Sequence, residues 1–179
     1  LKRLLFALLT LALLLAIIAF GIIRYIKPTE TLDLQYKELS IGAKVTEMIV
    51  KRQFAVELTE ADVENIVKKQ LAEQPQLSPD MRLTGARVEL AGNRLNIAAN
   101  VRYKNKIPAQ VSAVYDLQWQ EPNLHIVFRD ARIKSISLPR SQFDPQPIDV
   151  NLNDLLPKAV AVKDVKFNGE GVHVELKLR

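Results

Sequence analysis

This 179-residue chain has two histidines, His125 and His173, the residue type whose ordinary pKa suits proton transfer near neutral pH, and there is no cysteine to join them as metal ligands. Each lies between apolar neighbours, in Leu124-His125-Ile126 and Val172-His173-Val174, so an alternating strand turns each towards its polar side. The pattern reads as two solvated surface histidines. The carboxylates Asp130, Asp144, Asp149 and Asp154 are scattered, with no spacing that gathers them. No Gly-x-Ser-x-Gly elbow, Ser-x-x-Lys pair, His-Glu-x-x-His helix or glycine-rich phosphate loop occurs. The expectation is a protein that is not an enzyme and carries neither cofactor nor metal.

The basic residues suggest a different chemistry. Arg94 and Arg102 fall opposite the apolar side of one alternating run, and Arg129, Arg132 and Lys134 cluster on another, which makes these five the candidates for contact with anionic headgroups. A solvated sheet face kept soluble by its charge is the plainer reading. The chain holds 25 Lys and Arg against 20 Asp and Glu. Setting aside Lys2, Arg3, Arg24 and Lys27, which flank one apolar run, leaves 21 against 20, so the remainder is nearly neutral and a nucleic-acid partner is not expected.

Those residues sit on long alternating stretches. In IPAQVSAVYDLQW every odd position is apolar, so Ile107, Ala109, Val111, Ala113, Tyr115, Leu117 and Trp119 share one face of a strand roughly 40 Å long. The preceding run adds Ile97, Ala99 and Val101. The alanines leave room either for close packing by another element or for a guest such as an acyl chain. The candidate lipid-binding strip is therefore Ile97, Ala99, Val101, Ala109, Val111, Ala113, Tyr115, Leu117 and Trp119.

From Leu4 to Ile23 there are twenty residues without a charge, and as a helix they would rise about 30 Å, one bilayer crossing. Lys2 and Arg3 precede the run, and Arg24, Tyr25 and Lys27 follow it, as suits the two headgroup regions. A cleaved signal peptide has a shorter apolar core and a small-x-small site, so an uncleaved signal anchor over residues 1–27 is expected. Two basic residues flank each end, and the amino terminus itself tips the balance towards a cytoplasmic start and an extracytoplasmic domain.

Residues 28–38 read as a polar stalk or lead-in strand, and residues 39–179 as one domain. Ile41, Val45, Met48 and Ile49 have helical spacing. A second helix is capped by Thr59, with Asp62 placed to complete a capping box and Val63, Ile66, Val67 and Leu71 as its stripe. From Leu83 onward the period is two, with turns at Ala91-Gly92-Asn93, Lys104-Asn105-Lys106 and Glu121-Pro122-Asn123. A slip at Arg129-Asp130-Ala131 suggests a bulge. Residues 139–157 hold four prolines and read as an irregular excursion, and a last hairpin turns at Asn168-Gly169-Glu170-Gly171. The expected fold is α+β: an amino-terminal transmembrane helix, then an antiparallel β-meander with two amphipathic helices on its apolar face.

The stretches Val56 to Val63, Leu95 to Val101, Ile133 to Arg140 with its Leu138-Pro139, and the hairpin from Val165 to Leu178 together resemble the YpmS family of single-pass membrane proteins of Gram-positive bacteria. The resemblance covers most of the chain after the anchor. It implies an exported, membrane-tethered domain and brings no active-site residues. Two functions are consistent with these features: binding of a lipid or lipid-linked envelope precursor in an apolar groove, or service as an accessory or scaffold to a cell-envelope enzyme through protein contacts alone.

Overall fold

A helix of 25 residues, α1 (Lys2–Ile26), begins the chain, and its stretch Leu9–Ile26 is long and apolar enough to cross a membrane, with none of it buried in the fold. The computed structural model describes residues 2–39, 54–139, 146–169 and 171–179. The helix expected around Ile41 to Ile49 lies outside the described residues. Among those described there are two α-helices, and the chain is α+β, with the apolar helix followed by a curled antiparallel half-barrel.

The second helix, α2 (Glu60–Glu73), follows strand β1 (Ala55–Thr59) without a gap. Its start is set by the capping box expected from Thr59: the Thr59 hydroxyl accepts from the Asp62 amide at 3.2 Å, and the Asp62 carboxylate accepts from the Thr59 amide at 3.0 Å. Glu60 and Asp62 in the first turn also complement the helix dipole. Pro75 ends the helix by disfavouring helical backbone at Gln74, which sits at φ −130°.

Six strands then run in order, each beside the last: β2 (Gln76–Ser78), β3 (Met81–Ala91), β4 (Arg94–Tyr103), β5 (Ile107–Gln120), β6 (Asn123–Ile133) and β7 (Ile136–Ser137). The turns fall where Gly92 (φ 61°) and the pair Lys104 and Asn105 (φ 48° and 56°) take up left-handed backbone. Besides a shift between Gln76 and Ser78 where β2 meets β3, two bulges break the register of the long strands. One makes the register skip Arg129, between Val114 opposite Asp130 and Tyr115 opposite Phe128, as the slipped alternation suggested. The other leaves Thr84 unpaired, between Leu83 opposite Val101 and Gly85 opposite Asn100.

Part of the proline-rich stretch is regular, because β8 (Ile148–Asn151) pairs with β6 and continues into a 3-10 helical turn at Leu152–Leu155. The closing hairpin, β9 (Val160–Asn168) and β10 (Gly171–Leu178), does not extend the half-barrel. It joins β1 in a separate three-stranded sheet of order β1-β10-β9. A Cβ at Gly171 would stand 2.5 Å from the Leu58 carbonyl oxygen, so glycine lets β1 lie close here.

The main core fills the space between the two sheets. Val88, Leu90, Leu95 and Leu117 from the half-barrel meet Val160, Val162, Val165, Val172 and Leu176 from the smaller sheet, and Val160 is 0% exposed. Full burial of each such side chain contributes about 1.5–3 kcal/mol. Val63 and Val67 of α2 pack against this cluster. A second, smaller cluster of Leu83, Val101 and Ala109 lies at the other end of the strands, and Ile26, Leu34 and Leu71 pack on it.

Candidate functional site

Residues 28–39 carry the chain from α1 across the polar face of the half-barrel, bonded to one strand after another. The Thr29 hydroxyl donates to Gln110 Oε1 on β5 at 2.9 Å, and Asn100 Nδ2 on β4 donates to the Glu30 carbonyl at 2.9 Å. The Glu30 carboxylate pairs with Arg87, and the Ala86 amide on β3 donates to the Asp33 carbonyl at 2.9 Å. Beyond the β3 edge the Lys37 amide donates to Asn65 Oδ1 on α2 at 2.8 Å. Gly85 makes this crossing feasible, since a Cβ there would stand 2.0 Å from the Leu32 carbonyl oxygen. Asn100 is 5% exposed, and its Oδ1 has no partner among the described residues, so its bond to Glu30 is the contact that keeps this buried amide satisfied. Leu32, Leu34 and Tyr36 alternate as in an extended segment, but nothing in these residues says which strands the strap crosses.

The nine residues of the candidate strip do lie on one face of β4 and β5, in register: Ile97 opposite Ala113, Ala99 opposite Val111 and Val101 opposite Ala109. They divide between the two clusters. Leu117 is in the main core with Ile97, Tyr115 and Trp119 packed against it, facing the three-stranded sheet. Val101 and Ala109 are in the second cluster, with Ala99 and Val111 packed on it. Ala113 is half-buried between them and pairs with Ala131, which is 1% exposed, as is Ala86 opposite Ala99. Tyr115 meets Phe128 edge to face, with centroids 5.6 Å apart, and burial raises the pKa of its phenol above the usual value.

The second cluster also holds the end of the membrane-length helix. Ile26 packs on it, the Tyr25 hydroxyl lies 2.7 Å from Ser135 Oγ, and the Lys134 ammonium stands 5.2 Å from the centre of the Tyr25 ring. The apolar strip therefore starts beside the last turn of α1. No protein family model, no curated protein and no solved structure matches this chain.

The five basic candidates are not gathered into one patch. Arg129 is bound to Asp116 at 2.6 and 3.0 Å and Arg132 to Asp130 at 2.6 Å, both within the sheet, while Lys134 lies over Tyr25. Arg94 stands opposite Asp116 in register, and Arg102 stands opposite Arg82, a residue the sequence reading passed over. Counting back from the Gly92 turn places Arg82 opposite Tyr103 and on the dry side. The bulge at Thr84 shifts it by one and turns it to the polar face. The signal was present in the sequence, because the apolar positions of β3 change from even (Ala86, Val88, Leu90) to odd (Met81, Leu83).

His125 and His173 lie in different sheets, and each is hydrogen-bonded to a cross-strand carboxylate: Asp149 at 2.5 Å and Glu57 at 2.6 Å. Among the described residues there is no group of three or more metal-ligating side chains.

Proposed function

We propose that this protein is a membrane-tethered, non-catalytic domain that holds the acyl part of a lipid, or of a lipid-linked envelope precursor, along the strip on β4 and β5. The observation that carries the reading is the shared packing of Ile26 with Val101, Ala109 and Val111, because an acyl chain leaving the bilayer beside α1 would meet apolar side chains before it met water. The half-buried Ala113, between the two clusters, is where such a chain would find room. Orientation with the amino terminus in the cytoplasm and the domain outside is part of this proposal; two basic residues flank each end of α1, and the resemblance to the YpmS family supports an exported, tethered domain. The amphipathic side of α2, with Val63, Val67 and Leu71 turned to the two clusters, would form one wall of the strip.

A protein-only accessory role for an envelope enzyme is the second reading. The packing of Leu117, Tyr115 and Trp119 against the chain's own small sheet favours it, since that half of the strip is already occupied. Ala113→Phe in the full chain separates the two. If the space beside Ala113 holds an acyl chain, native mass spectrometry shows bound lipid lost while the thermal midpoint stays near that of the parent. If it is core, overpacking costs about 1–3 kcal/mol. A parent that carries no lipid, combined with a destabilised variant, removes the lipid reading.

A further inference from the structure

We infer that Arg82 and Arg102 form a phosphate-binding site for the headgroup of an anionic lipid, at the end of the half-barrel that meets α1. The inference rests on the lipid reading for its ligand class but on a separate set of residues. Arg82 and Arg102 are directly opposite each other on β3 and β4. Like charges in that position destabilise a sheet, and their guanidinium groups share no carboxylate among the described residues, whereas Arg87 has two and Arg129 and Arg132 one each. The sheet acquires this pairing through the bulge at Thr84, which moves Arg82 from the dry face to the polar one.

The two arginines line a depression of about 420 Å³, together with Thr84 and Asn105 and the apolar Leu34 and Pro75. No carboxylate is among the described residues that line it. Asn105 belongs to the turn that it forms with Lys104 in left-handed backbone. Two planar forks facing one space suit the oxygens of a phosphate, which each can grip through paired N–H donors. The membrane lipid is favoured over a soluble anion by position. Leu83 and Val101, next along the strands from Arg82 and Arg102 and on the opposite face of the sheet, form the cluster on which Ile26 of α1 packs, so the arginines lie at the strand ends nearest α1.

The test uses the full chain in a neutral detergent micelle, titrated with dioctanoyl phosphatidylglycerol, dioctanoyl phosphatidylcholine or inorganic phosphate and read by native mass spectrometry and calorimetry. The expected result is that phosphatidylglycerol binds at least about 10-fold more tightly than phosphatidylcholine, and that Arg82→Gln with Arg102→Gln removes the preference. Lys163→Gln, on β9 of the separate three-stranded sheet, leaves it intact. Because the double substitution relieves a repulsion, its thermal midpoint stays at or above that of the parent. Arg82→Lys, which keeps the charge but loses the fork, shows a smaller loss. A double variant that still prefers phosphatidylglycerol overturns the site, and inorganic phosphate binding as tightly as the lipid overturns the headgroup assignment. Lipid bound without regard to headgroup also overturns it, while leaving the acyl reading in place. If Ala113→Phe keeps its lipid and the double arginine variant loses the preference, the headgroup site stands and the acyl reading falls.

Discussion

Gly85→Ala should loosen the whole crossing of residues 28–39. The added Cβ would stand 2.0 Å from the Leu32 carbonyl oxygen, 2.2 Å from its carbon and 2.7 Å from the Asp33 amide nitrogen. All three are backbone atoms that cannot rotate away. To reach an ordinary contact the strap must withdraw by about 1 Å, which stretches the 2.9 Å bond from the Ala86 amide to Asp33 beyond hydrogen-bonding range. Losing that bond costs about 0.5–1.5 kcal/mol, and stranding the buried Asn100 amide, whose bond to Glu30 is 2.9 Å long, costs about 1–3 kcal/mol. The Arg87 pair with Glu30 is part-exposed and adds little. The sum, about 1.5–4.5 kcal/mol, corresponds to a fall on the order of 10 °C in thermal midpoint for a domain of this size. Near-ultraviolet circular dichroism of the full chain in a neutral detergent measures it, with Gly169→Ala as the control, since a Cβ there meets nothing within 4 Å. Hydrogen exchange at the Ala86 amide reports the strap directly. If Gly85→Ala melts within a degree or so of the control and the Ala86 amide stays equally protected, the strap does not lie where this reasoning needs it.

Two further outcomes test the ends of the fold. Leu13→Arg puts a charge at the middle of the only apolar span among the described residues, at about 2.5–3.5 kcal/mol on the insertion scale, and should release the protein from membranes during alkaline carbonate extraction. A variant that pellets as firmly as the parent would show that α1 is not the anchor. Thr59→Ala removes the acceptor for the Asp62 amide and should destabilise the domain by about 1 kcal/mol in the same melting assay, with Thr59→Ser close to the parent. Equal midpoints for the alanine and serine variants would mean that the cap contributes nothing.

What was legible in the sequence was local. Thr59 and Asp62 announce a helix start because both partners of the cap lie within one turn, and Gly92 and Asn105 announce reversals because few residues accept their backbone angles. The slip around Arg129 is visible because a single extra residue inverts every later side chain. What covers a dry face has no such local mark. Alternation placed Leu117 and Trp119 on the inside but could not say that β9 and β10, some forty residues further on, would form a second sheet against them. The opposition of Arg82 and Arg102 required locating the bulge at Thr84, which small shifts between even and odd apolar positions mark only faintly.

In a bilayer the strap leaves the domain almost no slack. With Thr29, Glu30 and Asp33 already bound to β5, β4 and β3, the domain cannot swing out on a leash from the end of α1. A domain of about 150 residues has a radius of gyration near 15 Å, so its reach above the lipid surface is only a few nanometres. With α1 in a bilayer, as proposed, its encounters would be those of a body moving in two dimensions. Anything it met would either travel in the same membrane or come down to the surface, and the frequency of meeting would be governed by density per unit of membrane area, with the concentration in the surrounding water mattering little.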